Sequence, residues 1–431
     1  MYRPFIPLAV VVLGLPAYAQ IATTVPISPS ALATGVSKIS VNEGSGPLTL
    51  AAALALSTRA NPQLSGARHE LEAIEGTVMQ ANLRPNPVLG VGIEDTRRNT
   101  RETTVQISQP IELGSKRQRR VEAAERGRDA ATADLRTRQT DITAGVTLAF
   151  NDVLTAQERV RLAQEALDVA ARVTTTVAKR VQAGKVSPVD ETRARVAEAN
   201  VRLEALKVNG ELATARKALA GFWGNTLPSF RSAAGNPEVL PELPEWNTLI
   251  SSLAQAPSMS RARTEIERRQ ALLRLEQSRR MPDLTVTIGM KRSAELGLNQ
   301  AIFGVSVPLP LFDRNQGNVL EALRRTDKAS DDLVSVQTET HQELAQAYQE
   351  LSTARDEAKS LSGEILPGAQ SAYDAAVKGF DFGKFAYFDV LDAQRTLIQA
   401  KSQYIKALSD ARRAAANIDR VAGATTPRGT P

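Results

Sequence analysis

Two reversals of the chain constrain everything else. One helical pattern gives way at Gly184-Lys185-Val-Ser-Pro188-Val-Asp190 and another at Gly383-Lys384-Phe385-Ala-Tyr-Phe-Asp389, and each is followed by a new helical pattern within a turn. The two glycines stand 199 residues apart. Long helices that fold straight back at matched places half a chain apart mark an internal duplication. The spacing of prolines repeats too: Pro62 to Pro87 and Pro257 to Pro282 are both intervals of 25 residues.

The helices themselves are legible from their period. Residues 114–183 contain no proline. Ile142, Ala149, Ala156, Ala163, Ala170 and Val177 recur every seven residues, with Val146, Val153, Val160, Leu167 and Val181 on a second line offset by four. That is a coiled-coil seam. Roughly 70 residues at 1.5 Å each make a rod of about 105 Å. In the second half Leu344, Leu351, Ala358, Ile365 and Ala372 continue one line, and Val390, Leu397, Tyr404, Ala411 and Ile418 line the returning helix. Pro367 falls inside the first of these and predicts a kink or a change of packing there.

Each half also carries two short alternating runs, 88–93 and 103–111, then 284–290 and 301–309. In the second run Thr103, Val105, Ile107, Gln109 and Ile111 share one side, and Thr104, Gln106 and Ser108 the other. These read as β-hairpins with one apolar face. Four strands cannot close a barrel, for which about eight is the practical minimum. An open sheet with a greasy face is a liability. A closed ring built by several copies resolves both problems, and the strand lengths suit a bilayer crossing.

Composition narrows the function classes. Aromatics are 4% and charged residues 23% of the 431 residues, which fits long, closely packed helices rather than thick cores. The net charge of +6 comes without a basic stripe interleaved with aromatics, so nucleic acid is not an expected partner. With no cysteine, disulfides, thiol catalysis and thiolate metal sites are excluded. His69 and His341 are the only histidines, which leaves a histidine metal site or catalytic triad without support. Gly90-Val91-Gly92 belongs to a strand and precedes no helix, so it is not a phosphate loop. No enzyme and no cofactor are expected.

The predicted organisation is a signal peptide (1–19), a flexible arm (20–47), a first repeat (48–224), a connector (225–246), a second repeat (247–423) and a disordered tail (424–431). Arg3, the apolar run 5–15 and Ala17-Tyr18-Ala19 have the layout of a secretory leader. That run is too short to span a bilayer.

With this layout the chain resembles the TolC-like outer membrane factors over residues 48–423. The resemblance rests on Asn61-Pro62, Pro85-Asn-Pro87, the two Gly-x5-Asp tips and Asp389-Val-Leu-Asp392-Ala. Gln109-Pro-Ile-Glu-Leu-Gly-Ser-Lys-Arg117 and Leu-Asp392-Ala-Gln-Arg395 are most similar to the CzcC-type heavy-metal efflux branch. The fold implied is mainly α with a small β part. Long antiparallel α-helical hairpins form a periplasmic α-barrel, and four strands per chain contribute to a trimeric 12-stranded transmembrane β-barrel. The implied function is the outer membrane channel of a tripartite RND-type efflux pump exporting cobalt, zinc, cadmium or nickel. Its implied partners are two further copies, a periplasmic adaptor, an inner-membrane RND pump and outer membrane lipid. Many relatives carry an acylated cysteine; this sequence has none, so the barrel alone is expected to hold the protein. The same duct serving organic compounds or type I secretion is the alternative reading, and an exported coiled-coil scaffold without a pore is a third.

The resemblance also implies a periplasmic gate at Asp389 and Asp392. Their spacing puts both on one helix face, and six carboxylates about a narrow axis would attract cations. Asp389 equally suits a helix-capping role, and both readings stay open at this point. A basic residue that helps close the gate in TolC corresponds here to Phe385, so Phe385, Tyr387 and Phe388 are expected to close the tip by packing. Adaptor docking is expected at Gly184, Lys185 and Asp190 and at Gly383, Lys384 and Phe385.

Overall fold

The computed structural model describes residues 43–44 and 46–423. The expected signal peptide, nearly all of the expected arm and the expected tail lie outside the described residues. The described chain is mostly helical. It opens with β1 (Leu48–Thr49), α1 (Leu50–Ala60) and α2 (Pro62–Ala81), then β2 (Val88–Glu94) and β3 (Glu102–Ile111). A long hairpin follows, α3 (Lys116–Gln182) and α4 (Pro188–Gly221). After β4 (Ala233–Ala234) the order recurs as α5 (Trp246–Leu253), α6 (Pro257–Ser278), β5 (Leu284–Ser293), β6 (Asn299–Ser306) and a second long hairpin. That hairpin is α7 (Gln316–Ser360), a π-turn (Leu361–Ile365), α8 (Leu366–Asp381) and α9 (Tyr387–Ala422).

Local chemistry sets the joints. Asn61 breaks the helical run, and its Oδ1 accepts the amides of Gln63 (2.9 Å) and Leu64 (3.1 Å). Pro62 then occupies the first helical position, where its missing N–H costs nothing. The Asn61 Nδ2 donates to the Phe222 carbonyl at 2.8 Å, tying the start of α2 to the end of α4. Thr49 caps α1, its hydroxyl accepting the Ala52 amide. Leu48 and Thr49 pair in parallel with Ala233 and Ala234. The connector is therefore stitched to the chain's start by two-residue strands too short to show any periodicity in sequence. Glu43 strengthens that junction. Its carboxylate accepts from Trp223 Nε1 (2.6 Å), the Ser229 amide (2.6 Å) and Asn225 Nδ2. Burial pushes its pKa up, and these hydrogen bonds outweigh burial and hold it below the usual glutamate value.

Each half has its own core at the root of its long hairpin. Ile142, Val146, Phe150 and Val153 of α3 meet Leu50, Leu64, Leu219 and Trp223. Leu344 and Leu351 of α7 meet Leu249, Leu253, Ala411 and Ile418. Below these, alanines keep the helices close. Ala156, Ala163, Ala170 and Val177 are buried along α3, as the heptad reading requires, and Ala400 and Ala407 along α9.

One heptad line fails. Leu344, Leu351 and Ala358 are buried, but Ile365 is 45% exposed and Ala372 is exposed. A second buried line, Ala347, Ala354 and Leu361, would continue at 368 and 375, and the first would reach 379; the buried positions beyond the π-turn are instead Ala369, Ala376 and Phe380, each one residue later. The π-turn is the reason: it inserts one extra residue into the helix. It also lies where Pro367 supplies no N–H and crowds the preceding turn. The change of packing expected at Pro367 is thus seen as a widened turn just ahead of it.

Candidate functional site

The four main strands form one antiparallel sheet in the order β2-β3-β5-β6. Its register sorts most of the side chains by face. Val91, Val105, Met290 and Ala301 lie on one rung, and Leu89, Ile107, Ile288 and Phe303 on the next. All but Ala301 are among the exposed large hydrophobics, from Val105 at 45% to Phe303 at 83%. The opposite side carries Gly90, Gly92, Gly289 and Gly304 between Thr104, Gln106, Ser108 and Thr287, with Ser108 Oγ and Thr287 Oγ1 2.9 Å apart. One face is thus greasy and uncovered, and the other is mostly small and polar, with Val88 and Ile302 as its apolar members. The ten residues of β3, at about 3.3 Å each and tilted by about 40°, rise roughly 25 Å, the apolar height of a barrel in a bilayer. Among the described residues no helix is long and apolar enough to cross a membrane.

The far end of each long hairpin is closed by a left-handed glycine, Gly184 at φ 67° and Gly383 at φ 72°. Positive φ lets the chain turn at once. The next amides cap the helix ends: Lys185 N donates to the Arg180 carbonyl at 2.9 Å and Lys384 N to the Gly379 carbonyl at 2.8 Å. Ser187 caps α4 at the first tip, with Pro188 behind it. At the second tip Asp389 lies in the first turn of α9. α9 starts two residues earlier, at Tyr387, and Asp389 Oδ2 reaches back to accept the Ala386 amide at 2.9 Å. The earlier start follows from Tyr387, whose ring is buried between the hairpins.

A single apolar cluster brings the two tips together. Val177 and Ala194 of the first hairpin pack with Ala376, Phe380, Tyr387 and Val390 of the second. Arg180 fastens them. Its guanidinium lies 3.9 Å over the Phe380 ring, Nη1 donates to the Phe380 carbonyl at 3.0 Å, and Nη2 is 3.7 Å from Asp381 Oδ1. Burial pushes the Tyr387 phenol up to about 12, so it stays neutral. Of the residues singled out in sequence, Lys185, Lys384, Asp389 and Asp392 are exposed around this cluster, and Asp190 is half-buried with Arg193 3.7 Å away. Phe385 folds against Gly379, where a Cβ would collide with its ring. Phe382 and Phe388 remain 80% and 63% exposed. Arg180 was not read from the sequence, where Lys179-Arg180 has the look of ordinary cations at a helix C-terminus. Among the described residues no three His, Cys, Asp or Glu side chains are grouped to hold a metal ion.

Further along the hairpins, α4 presents a line with no partner in this chain. Val189, Val196 and Leu203 recur every seven residues and are 56%, 56% and 67% exposed. On the second hairpin Leu320, Leu323 and Val334 of α7 are also exposed.

Comparison with known proteins agrees with this geometry. The chain matches the family described as outer membrane efflux protein twice, over residues 54–225 and 249–424. It is 45% identical to the cobalt-zinc-cadmium resistance protein CzcC of Cupriavidus metallidurans, covering 98% of this chain and 100% of that protein. Among solved structures, a membrane protein from Pseudomonas aeruginosa aligns with a TM-score of 0.76 at 19% identity, over 88% of this chain and 91% of that one. The open state of the MtrE outer membrane channel of Neisseria gonorrhoeae aligns with a TM-score of 0.74 at 19% identity, over 87% of this chain and 88% of that one. A sheet greasy on one side, helical hairpins closed by glycine tips, and a family match that covers both halves lead to one assignment: the chain belongs to the outer membrane efflux protein family.

Proposed function

We propose that three copies of this chain form a passive export duct for divalent heavy-metal cations such as cobalt, zinc, cadmium or nickel. The observation that carries the metal reading is the end-to-end match, at 45% identity, to a cobalt-zinc-cadmium resistance protein. The assembly reading draws on the sheet. Both of its edges, β2 and β6, are unpaired among the described residues. An antiparallel sheet with an even number of strands can be joined edge to edge with a second copy and keep its alternation. Three copies then give about twelve strands, enough to close a barrel. The apolar face meets lipid and the Gly, Thr, Ser and Gln face lines the water path.

In this reading residues 48–224 and 247–423 are two copies of one unit, joined by the connector 225–246. Their long hairpins hang into the periplasm as a second tube. A periplasmic adaptor docks on the tips at Gly184, Lys185 and Asp190 and at Gly383, Lys384 and Phe385, and passes cargo from an inner-membrane RND pump. The chain performs no chemistry. Deletion of the gene is expected to abolish tolerance to at least one of cobalt, zinc, cadmium or nickel, with restoration by the full chain. Unchanged tolerance to all four together with lost tolerance to organic toxins would transfer the duct to a different cargo.

The gate is assigned to Asp389 and Asp392. Asp389 spends one carboxylate oxygen on its own helix, which leaves the other free to face an axis, so capping and gating are compatible. Asp392 is exposed one turn on. Replacing both with asparagine is expected to weaken block of single-channel current by multivalent cations several-fold, because charge attracts them and amides do not. Asn retains the capping oxygen, which separates charge from fold. Equal block in the double variant would remove both residues from the constriction.

A further inference from the structure

We propose that Arg101 and Arg292 form an outward-facing seat for the phosphate groups of the glycolipid in the outer leaflet. The inference rests on the barrel reading above and adds a lipid contact to it. Strand parity carries the argument. Ile288, Met290 and Arg292 follow one another on the apolar side of β5. Thr103 lies opposite Arg292. Arg101, two residues before Thr103, keeps to the same side, and its carbonyl accepts the Ala294 amide at 2.9 Å. The two arginines are therefore diagonal neighbours on one face, a relation that places side chains within about 8 Å. They stand just beyond the rung of Val91, Val105 and Met290, at the end of the sheet farthest from the helices.

Of the four acidic groups near them, two face the other side of the sheet and one is held within its own loop. Glu94 and Glu102 are opposite one another on the polar face, and Lys291 forms an ion pair with Glu102 there. Asp95 is held by Arg97 at 2.7 Å and by the Thr100 hydroxyl at 2.6 Å. Those bonds hold its carboxyl well below the usual aspartate range. Glu295 is exposed in the turn after β5. Charge is thus divided by face: acids with one lysine inside, two arginines without a carboxylate outside.

Like charges at this spacing need a counter-charge. In the barrel the position is at the bilayer edge, where a cationic side chain is tolerated on the lipid face. What lies against that rim is the headgroup layer, and a guanidinium grips phosphate with two parallel hydrogen bonds. The phosphorylated saccharolipid of the outer leaflet supplies such groups at that depth. Three copies would offer six arginines around the rim.

The test compares wild type, R101Q/R292Q and K291Q, extracted from outer membranes in mild detergent. Retained lipopolysaccharide per trimer is measured, and each stripped trimer is then titrated with intact or enzymatically dephosphorylated lipopolysaccharide. Removing two headgroup contacts is expected to lower retention and affinity roughly tenfold or more. K291Q, altered on the inner face of the same strand, should match wild type, and the dephosphorylated lipid should bind none of the three. Heat stability of the stripped R101Q/R292Q trimer should equal wild type, since both side chains project from the folded sheet. Equal retention by R101Q/R292Q, or equal binding of the dephosphorylated lipid, overturns the proposal while leaving the duct intact. A chain absent from the outer membrane fraction overturns both.

Discussion

Gly289→Val is expected to abolish the outer membrane form of the chain. A Cβ at Gly289 would sit 2.6 Å from the Val105 carbonyl oxygen, 2.8 Å from the Gln106 Cβ and 3.0 Å from the Gln106 Cα. Two of these three atoms are backbone, so no side-chain rotation relieves the clash. The affected ladder, β3 with β5, is the one that joins the hairpin of the first half to that of the second. Overpacking of this kind costs about 1–3 kcal/mol per site, and a trimer meets it three times. Gly304 is the matched control. Its Cβ would meet only the Thr287 Cβ at 3.6 Å, an ordinary contact, so Gly304→Ala should assemble normally. The measurement is the heat-modifiable trimer band in the outer membrane fraction. Wild-type amounts of it from Gly289→Val would show that the two hairpins need not be sewn together along this seam.

The second large effect is expected at Leu203→Glu on α4. Leu203 is 67% exposed and continues the seven-residue line of Val189 and Val196. In one copy it packs against nothing that the substitution could disturb, so the isolated chain should keep its helical circular dichroism. In a ring the same line becomes a seam against the next copy. Full burial of a leucine there contributes about 1.5–3 kcal/mol, and a carboxylate in its place adds the cost of desolvating a charge. With three seams affected, sedimentation should show monomer where wild type gives trimer. A Leu203→Glu trimer of normal stability would place the seam on another face of the hairpin.

Much of this architecture is written in repetition. Heptad lines such as Ala156, Ala163 and Ala170 survive in the fold because a coiled-coil wall imposes the same environment every seven residues. The two-sided strands are legible for the same reason at period two. What escapes is whatever happens once. The pairing of Leu48 with Ala233 has no period. Glu43 reaching Trp223 links positions that nothing in the sequence connects. At the second tip the start of α9 at Tyr387 has no local signal, because Tyr387 is buried by Val177 and Ala194 of the other hairpin together with Phe380 of its own. Arg180 is the clearest case. Its partners Phe380 and Asp381 lie some 200 residues along the chain, and only the meeting of the tips gives it a role. Asp389 and Asp392 could be placed on one face from spacing alone, whereas the hydrogen bond from Ala386 needed coordinates.

The widened turn at Leu361–Ile365 has a consequence for how such a wall can vary. A continuous seam obliges every layer to keep step with every other, so a change near the root propagates to the tip. Here a one-residue slip lets the segment carrying Ala369, Ala376 and Phe380 hold its own phase, independent of Leu344 and Leu351. The root and the far end of this hairpin are in effect two separately tunable joints, and substitutions that refit one to a new neighbour leave the other undisturbed.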